Sequence, residues 1–199
     1  MTEEERSLRK KIKKVLDKER WEHTKGVIYT AGALAMAHGE NIDDAMKAGL
    51  LHDSAKCIPH AEKIEMCKRA GIRLKKIELR NPSLIHAKLG ANLAKEKYGI
   101  KNRRILHAIA CHTTGTVKMN RLDKILFIAD YIEPGRSEAP NLPIVRKIAF
   151  SDLDLCMYKI LKDTLQYLKG SDRETDPVTK RTFLAFEEII KGRENGSKL

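Results

Sequence analysis

Four histidines and two aspartates in this chain are of types that bind metals or move protons: His23, His52, Asp53, His86, His112 and Asp130. Asp130 sits in the apolar run Ile128-Ala129-Asp130-Tyr131. A carboxylate there is costly to bury unless a partner or a cation meets its charge. His52 and Asp53 are adjacent and follow Ala48-Gly49-Leu50-Leu51, and His86 follows Asn81-Pro82. Imidazole nitrogen and carboxylate oxygen are the donors of zinc, iron, manganese, cobalt and nickel sites. On separate helices of a bundle these residues could converge in its core. Spacing alone does not bring them together.

The remaining histidines read otherwise. His38 stands beside Gly39 and suits a contact with a helix end. His60 follows Pro59 and reads as surface. His107 lies about 140° round a helix from His112. It pairs in spacing with Cys111, but a thiolate–imidazole site lacks further ligands. Cys57, Cys67, Cys111 and Cys156 form no CxxC pair and read as free thiols.

Helices are the elements that must position these groups. Apolar residues recur at three- and four-residue spacing almost throughout. Thr2 and Glu5 have the spacing of a capping box. Further helices are expected over Arg20–His38, from Asp43 to Leu51, and over His60–Ala70, Ser83–Tyr98, Asn102–His112 and Arg121–Ile132. Leu142–Phe150, Asp152–Leu168 and Val178–Lys191 complete the set, with Glu194–Leu199 as a frayed tail. Glu133–Pro143 and residues 170–177 read as loops. Strand patterns are nearly absent. The expected fold is all-α, a single domain over residues 1–199 of about nine or ten helices.

With 199 residues the chain is long enough for one sizeable core. Its longest uncharged apolar stretch, Ala31–Ala37, is far too short to span a bilayer, and the first residues carry no apolar segment of a secretory signal. A cytoplasmic protein without a membrane partner is expected. The net charge of +12 favours anionic partners. The Lys and Arg residues form no recognised nucleic-acid motif, so nucleic acid is disfavoured. Helix faces alone do not separate a dimer interface from a core, so a homodimer stays open.

Longer segments carry a resemblance. They are Leu50-Leu51-His52-Asp53-Ser54-Ala55-Lys56, Asn81-Pro82-Ser83-Leu84-Ile85-His86, Ala108-Ile109-Ala110-Cys111-His112-Thr113-Thr114-Gly115 and Ile128-Ala129-Asp130-Tyr131-Ile132-Glu133-Pro134-Gly135-Arg136. With His23 upstream, they resemble the HD-domain metal-dependent phosphohydrolases. More closely they resemble the YqeK-type bacterial family, the symmetrical diadenosine tetraphosphate hydrolases. The resemblance implies an all-α phosphohydrolase core over residues 20–190. It implies that His23, His52, Asp53 and Asp130 hold one metal, and that His86 and His112 hold a second with Asp53 bridging. The implied metal is iron, divalent or mixed-valence; ligand chemistry alone leaves manganese, cobalt and zinc open.

Two metals that share a hydroxide could attack phosphorus in line, and the implied reaction splits a dinucleoside polyphosphate into two ADP. Lys56, one helical turn beyond His52 at i+4, could project near the metals or be a plain surface lysine. Arg136, after a Glu-Pro-Gly turn, could hold phosphate by a bidentate contact or pair with Glu133 or Glu138. Thr113, Thr114 and Gly115 could present hydroxyls and backbone N–H groups to phosphate, or form a plain turn. Glu133 could support a ligand histidine, the favoured reading, or close a helix end. The alternatives are an HD hydrolase of another nucleotide, and a basic nucleic-acid-binding protein with a structural metal.

Overall fold

The computed structural model describes residues 2–170 and 174–196. The described residues form eleven α-helices and one 3-10 turn, with no strand among them. The helices are α1 (Glu3–Val15), α2 (Lys18–His38), α3 (Ile42–Leu51), α4 (His60–Arg69), α5 (Lys76–Arg80), α6 (Ile85–Glu96), α7 (Arg103–Cys111), α8 (Arg121–Ile132), α9 (Leu142–Ala149), α10 (Leu153–Lys169) and α11 (Pro177–Gly196). Among the described residues, no helix is long and apolar enough to cross a membrane.

Short polar side chains start most of these helices. Thr2 and Glu5 close the expected capping box on α1. Asp17, Asn41, Asn102, Asn120 and Asp152 each accept a backbone N–H of the following turn. Three expectations change. The segment expected as one helix from Ser83 opens instead as a 3-10 turn, Pro82–Leu84, and becomes α-helical at Ile85. Helix α5 has only five residues, too few to show a period. The tail expected to fray from Glu194 continues α11 to Gly196; residues 197–199, like 171–173 of the expected 170–177 loop, lie outside the described residues.

Helix α8 runs through the centre. Leu122, Ile125, Leu126, Ile128 and Ala129 are fully buried, and the helix packs on α2, α7 and α10. A helix apolar on most faces needs neighbours all round. Each such aliphatic side chain contributes about 1.5–3 kcal/mol on burial. Helix α3 packs on α2, α6 on α7, and α10 on α11. A smaller apolar cluster, Ala55, Cys67, Ile85 and Leu89, ties α4 to α6. The ends of α3, α7 and α8 thereby meet the start of α6 and the early turns of α2.

Candidate metal centre

The six residues expected at a metal site come together there. Their donor atoms form two groups, His23, His52 and Asp130 in one, and Asp53, His86 and His112 in the other. His52, Asp53, His86 and His112 are buried.

Local helix geometry orients the rings. His52 and His112 stand at the C-caps of α3 and α7. The last four carbonyls of a helix have no intrahelical donor. The His52 Nδ1–H donates to Gly49 O at 2.7 Å and the His112 Nδ1–H to Ile109 O at 2.7 Å. The His86 Nδ1–H donates to Ser83 O in the 3-10 turn. His23 lies inside α2, where no carbonyl is spare, and its Nδ1 lies 3.0 Å from Glu133 Oε1. Carbonyls and an ionised carboxylate only accept, so all four protons sit on Nδ1 and all four Nε2 lone pairs face inward.

Those lone pairs meet two carboxylates. Asp53 Oδ1 lies 3.2 Å from His86 Nε2 and 3.9 Å from His112 Nε2, whereas Oδ2 lies 3.4 Å from His52 Nε2 and 3.9 Å from His23 Nε2. Asp130 Oδ1 lies 3.0 Å from His23 Nε2 and 4.0 Å from His52 Nε2. The Nε2 atoms of His86 and His112 are 3.1 Å apart. The Nε2 atoms of His23 and His52 are buried without a hydrogen-bond partner. Acceptors aimed at acceptors, enclosed from water, are what cations satisfy. The nitrogen and oxygen donor set suits divalent transition metals, so the residues fit a metal centre of that class.

Burial and the carboxylates pull the rings in different directions. Burial, with repulsion from His86 and His52, pushes the His112 pKa down to about 3. Burial also lowers His86, helped by the nearby charge of Lys56. Burial alone would lower His52, but the charges of Asp53 and Asp130 outweigh it and hold His52 above its ordinary value. Burial opposes ionisation of Asp53 and Asp130, yet the surrounding imidazoles hold both carboxyls well below the usual range.

The groups expected around the centre are placed unevenly. Glu133 lies under His23, and its Oε2 accepts the Gly135 N–H at 2.6 Å. Arg136 meets Asp130 more closely than its expected partner Glu133: its Nη2 lies 2.9 Å from Asp130 Oδ1, and its Nε lies 4.0 Å from Glu133 Oε1. Lys56 does not lie on a continued helix. Helix α3 ends at Leu51, and the Lys56 N–H closes a turn onto Asp53 O, so its closeness to His86 comes from that turn. Thr113 Oγ1 lies 3.4 Å from Nε2 of both His86 and His112. Thr114 donates its hydroxyl to Gly115 O. The Gly115 N–H closes a turn, donating to Cys111 O at 2.8 Å. Glycine is needed there because φ is +65° and a Cβ would meet Thr182 at 2.6 Å.

Three contributors escaped the sequence reading. Arg20 Nη1 donates to Asp53 Oδ2 at 3.0 Å; it precedes His23 by three residues, a spacing that shares one helix face. A Cβ at Gly26 would overlap Glu133 Oε2, so the glycine admits that carboxylate against α2. Arg146 on α9 donates to the carbonyls of Ile132, Glu133 and Arg136 and braces the turn after α8; no short-range signal marks it. Away from the centre, His38 Nε2 bonds Ala149 O at the end of α9, His60 is exposed, and the cysteines are free. His107 and Cys111 gain Asp123 as a neighbour, but burial and the Asp123 charge push the Cys111 thiol far above its ordinary value.

Comparison with known proteins gives the family. The HD domain family model matches residues 20–135, which include every residue of both donor groups. A symmetrical bis(5'-nucleosyl)-tetraphosphatase of Bacillus subtilis is 35% identical over 181 residues, covering 91% of this chain and 95% of its own. The protein of that name from Halalkalibacterium halodurans is 36% identical over 174 residues, covering 86% and 91%. A solved structure from Clostridium acetobutylicum is described as a predicted HD superfamily hydrolase involved in NAD metabolism. It superposes with a TM-score of 0.88 at 34% identity, covering 92% of this chain and 96% of that one. The chain belongs to the HD-domain family and, within it, to the YqeK-type group of which these tetraphosphatases are members.

Proposed function

We propose that the protein is a metal-dependent phosphohydrolase that cleaves diadenosine tetraphosphate at its central anhydride to give two ADP. The observation that carries this reading is the Asp53 carboxylate, with Oδ1 turned to His86 and His112 and Oδ2 to His23 and His52. One carboxylate addressed to two sets of nitrogen donors suits a pair of cations acting on one phosphate. The relatives named as symmetrical tetraphosphatases favour this substrate over other nucleotides.

In this reading His23, His52, Asp53 and Asp130 hold one cation, and His86, His112 and Asp53 hold the other. We infer iron, with manganese, cobalt and zinc compatible with the same donors. Such a pair, when bound, acidifies water and neutralises phosphoryl oxygens. The chain's own residues do the rest. The Nδ1 bonds fix each ring and keep its lone pair inward. Glu133 locks His23 in the same way. Arg136, with its side chain 44% exposed, presents a planar fork to a phosphate at the mouth. Lys56 adds positive charge on the His86 side, and the Thr113 hydroxyl offers a donor beside His86 and His112. The thiols take no part. We place the enzyme in the cytoplasm, with dinucleoside polyphosphates as its partners.

Product analysis tests the proposal. Protein loaded with Fe(II) or Mn(II) and given diadenosine tetraphosphate should release ADP alone. ATP plus AMP as the main products would contradict symmetric cleavage, and no turnover with either metal would contradict the activity.

A further inference from the structure

Helices α7 and α8, which bring His112 and Asp130 to the centre, carry a second group of donors. His107 and Cys111 are four residues apart on α7 and so share a face. Asp123, in the first turn of α8, lies against them. One donor atom from each residue lies within 4.8 Å of the other two. His107 Nδ1 is 2.9 Å from Asp123 Oδ1, and Cys111 Sγ is 4.0 Å from the same Nδ1. Zinc bonds of about 2.0–2.3 Å set tetrahedral donors about 3.5 Å apart, so these two separations bracket what one such cation needs.

The group is built to hold its shape. Asp123 is wholly buried and fixed by the cap of α8: its N–H donates to Asn120 Oδ1 at 3.1 Å, and its Oδ2 accepts the Asn120 N–H at 2.8 Å. That leaves Oδ1 turned to the ring. Cys111 is buried as well, with Sγ in a long 3.7 Å contact to Ala108 O. The His107 side chain is 49% exposed, which gives the group an entry side and room for a water as fourth ligand. A thiolate and a carboxylate match the charge of one divalent cation. Without a cation, burial and the Asp123 charge keep the thiol protonated. On binding, the thiol proton leaves to solvent, and the neutral ring carries its proton on Nε2 in place of Nδ1. Sulfur also separates this group from the centre, whose donors are all nitrogen and oxygen.

We propose that His107, Cys111 and Asp123 form a separate, exchangeable zinc site that staples α7 to α8. Asp123 and Asp130 are seven residues apart on α8, about 10 Å along its axis. The staple therefore sits two turns from the centre, on the same two helices. Three protein donors and a water hold zinc less tightly than a closed set of four, so the site fills when zinc is supplied and empties on dialysis. It is independent of what the centre hydrolyses.

The test is titration of cobalt(II), a spectroscopic stand-in for zinc, into the dialysed full chain. Thiolate bound to cobalt gives a charge-transfer band in the near ultraviolet. Imidazole and carboxylate ligands do not, so cobalt in the centre is silent there. Wild type should develop the band, and added zinc should abolish it. Cys111→Ser should lose the band. His107→Gln should need more cobalt for half-saturation, by no less than the roughly 10- to 100-fold that a lost supporting contact costs. Cys57→Ser, which removes an exposed thiol, and His86→Ala, which alters the centre, should keep the wild-type band. No band in wild type at saturating cobalt would overturn the proposal, and so would a band that survives Cys111→Ser or disappears in His86→Ala. Should Cys111→Ser not fold, wild-type cobalt affinity in His107→Gln overturns it equally, since Cys111 would then bind cobalt without its neighbours.

Discussion

A histidine one position past a helix end finds a carbonyl without a donor three residues back, and that fixes which ring nitrogen is free. His52 and His112 use this device. The residue types and the HD dipeptide were legible in the sequence; the tautomers were not, because they depend on where each helix stops. The same geometry makes the metals separable by mutation. We expect close to two transition-metal ions per chain by elemental analysis, a fall toward one in His86→Ala or His112→Ala, and loss of both in Asp53→Ala. Unchanged metal content in His86→Ala would refute the two-cation assignment. In the metal-free protein the His112 pKa of about 3 lies below its ordinary 6.5. Between those values the unfolded chain binds a proton that the folded chain refuses, so stability falls as pH falls. The slope is ~1.4 kcal/mol per pH unit for one proton. His52 works in the opposite sense, its raised pKa stabilising the fold below 6.5 and losing that effect as pH rises through the folded value. Denaturation midpoints of His112→Gln between pH 6.5 and 4 should therefore decline less steeply than those of wild type.

Elements place the ligands, and their ends matter more than their lengths. Caps such as Thr2, Asn120 and Asp152 were readable because short polar side chains compete for the first N–H groups. The 3-10 start before His86 was not readable, since the pattern of apolar residues crosses it without a break. Lys56 shows the same limit: the i+4 reading places it one helical turn beyond His52, whereas α3 stops at Leu51. The supports of the centre were hidden for another reason. Gly26 matters for what approaches it from α8, and Arg146 for a turn thirteen residues upstream. Gly26→Ala should push Glu133 off His23 and weaken metal retention on the order of 10- to 100-fold. Circular dichroism should still report a folded helical protein. Wild-type metal affinity in this variant would show that Glu133 does not tune His23.

The whole molecule carries +12 charges, spread over many helices without a nucleic-acid motif. Its effect on a polyanionic substrate is long-range and therefore screened by salt. Raising ionic strength from low to about 0.15 M, where the Debye length is about 8 Å, should lower kcat/KM with less effect on kcat. A salt-independent kcat/KM would mean that the surface charge serves something else. The sequence supplied the sign of the field but not its relation to the centre, since that depends on which helix faces turn outward. The central claim is that Asp53 is shared by two cations, and anomalous diffraction from manganese-soaked crystals measures this most directly. The account predicts two peaks on either side of the Asp53 carboxylate, about 3.5–4 Å apart, one beside His23, His52 and Asp130 and the other beside His86 and His112. A single peak, or a strong peak only at His107, Cys111 and Asp123, would contradict it.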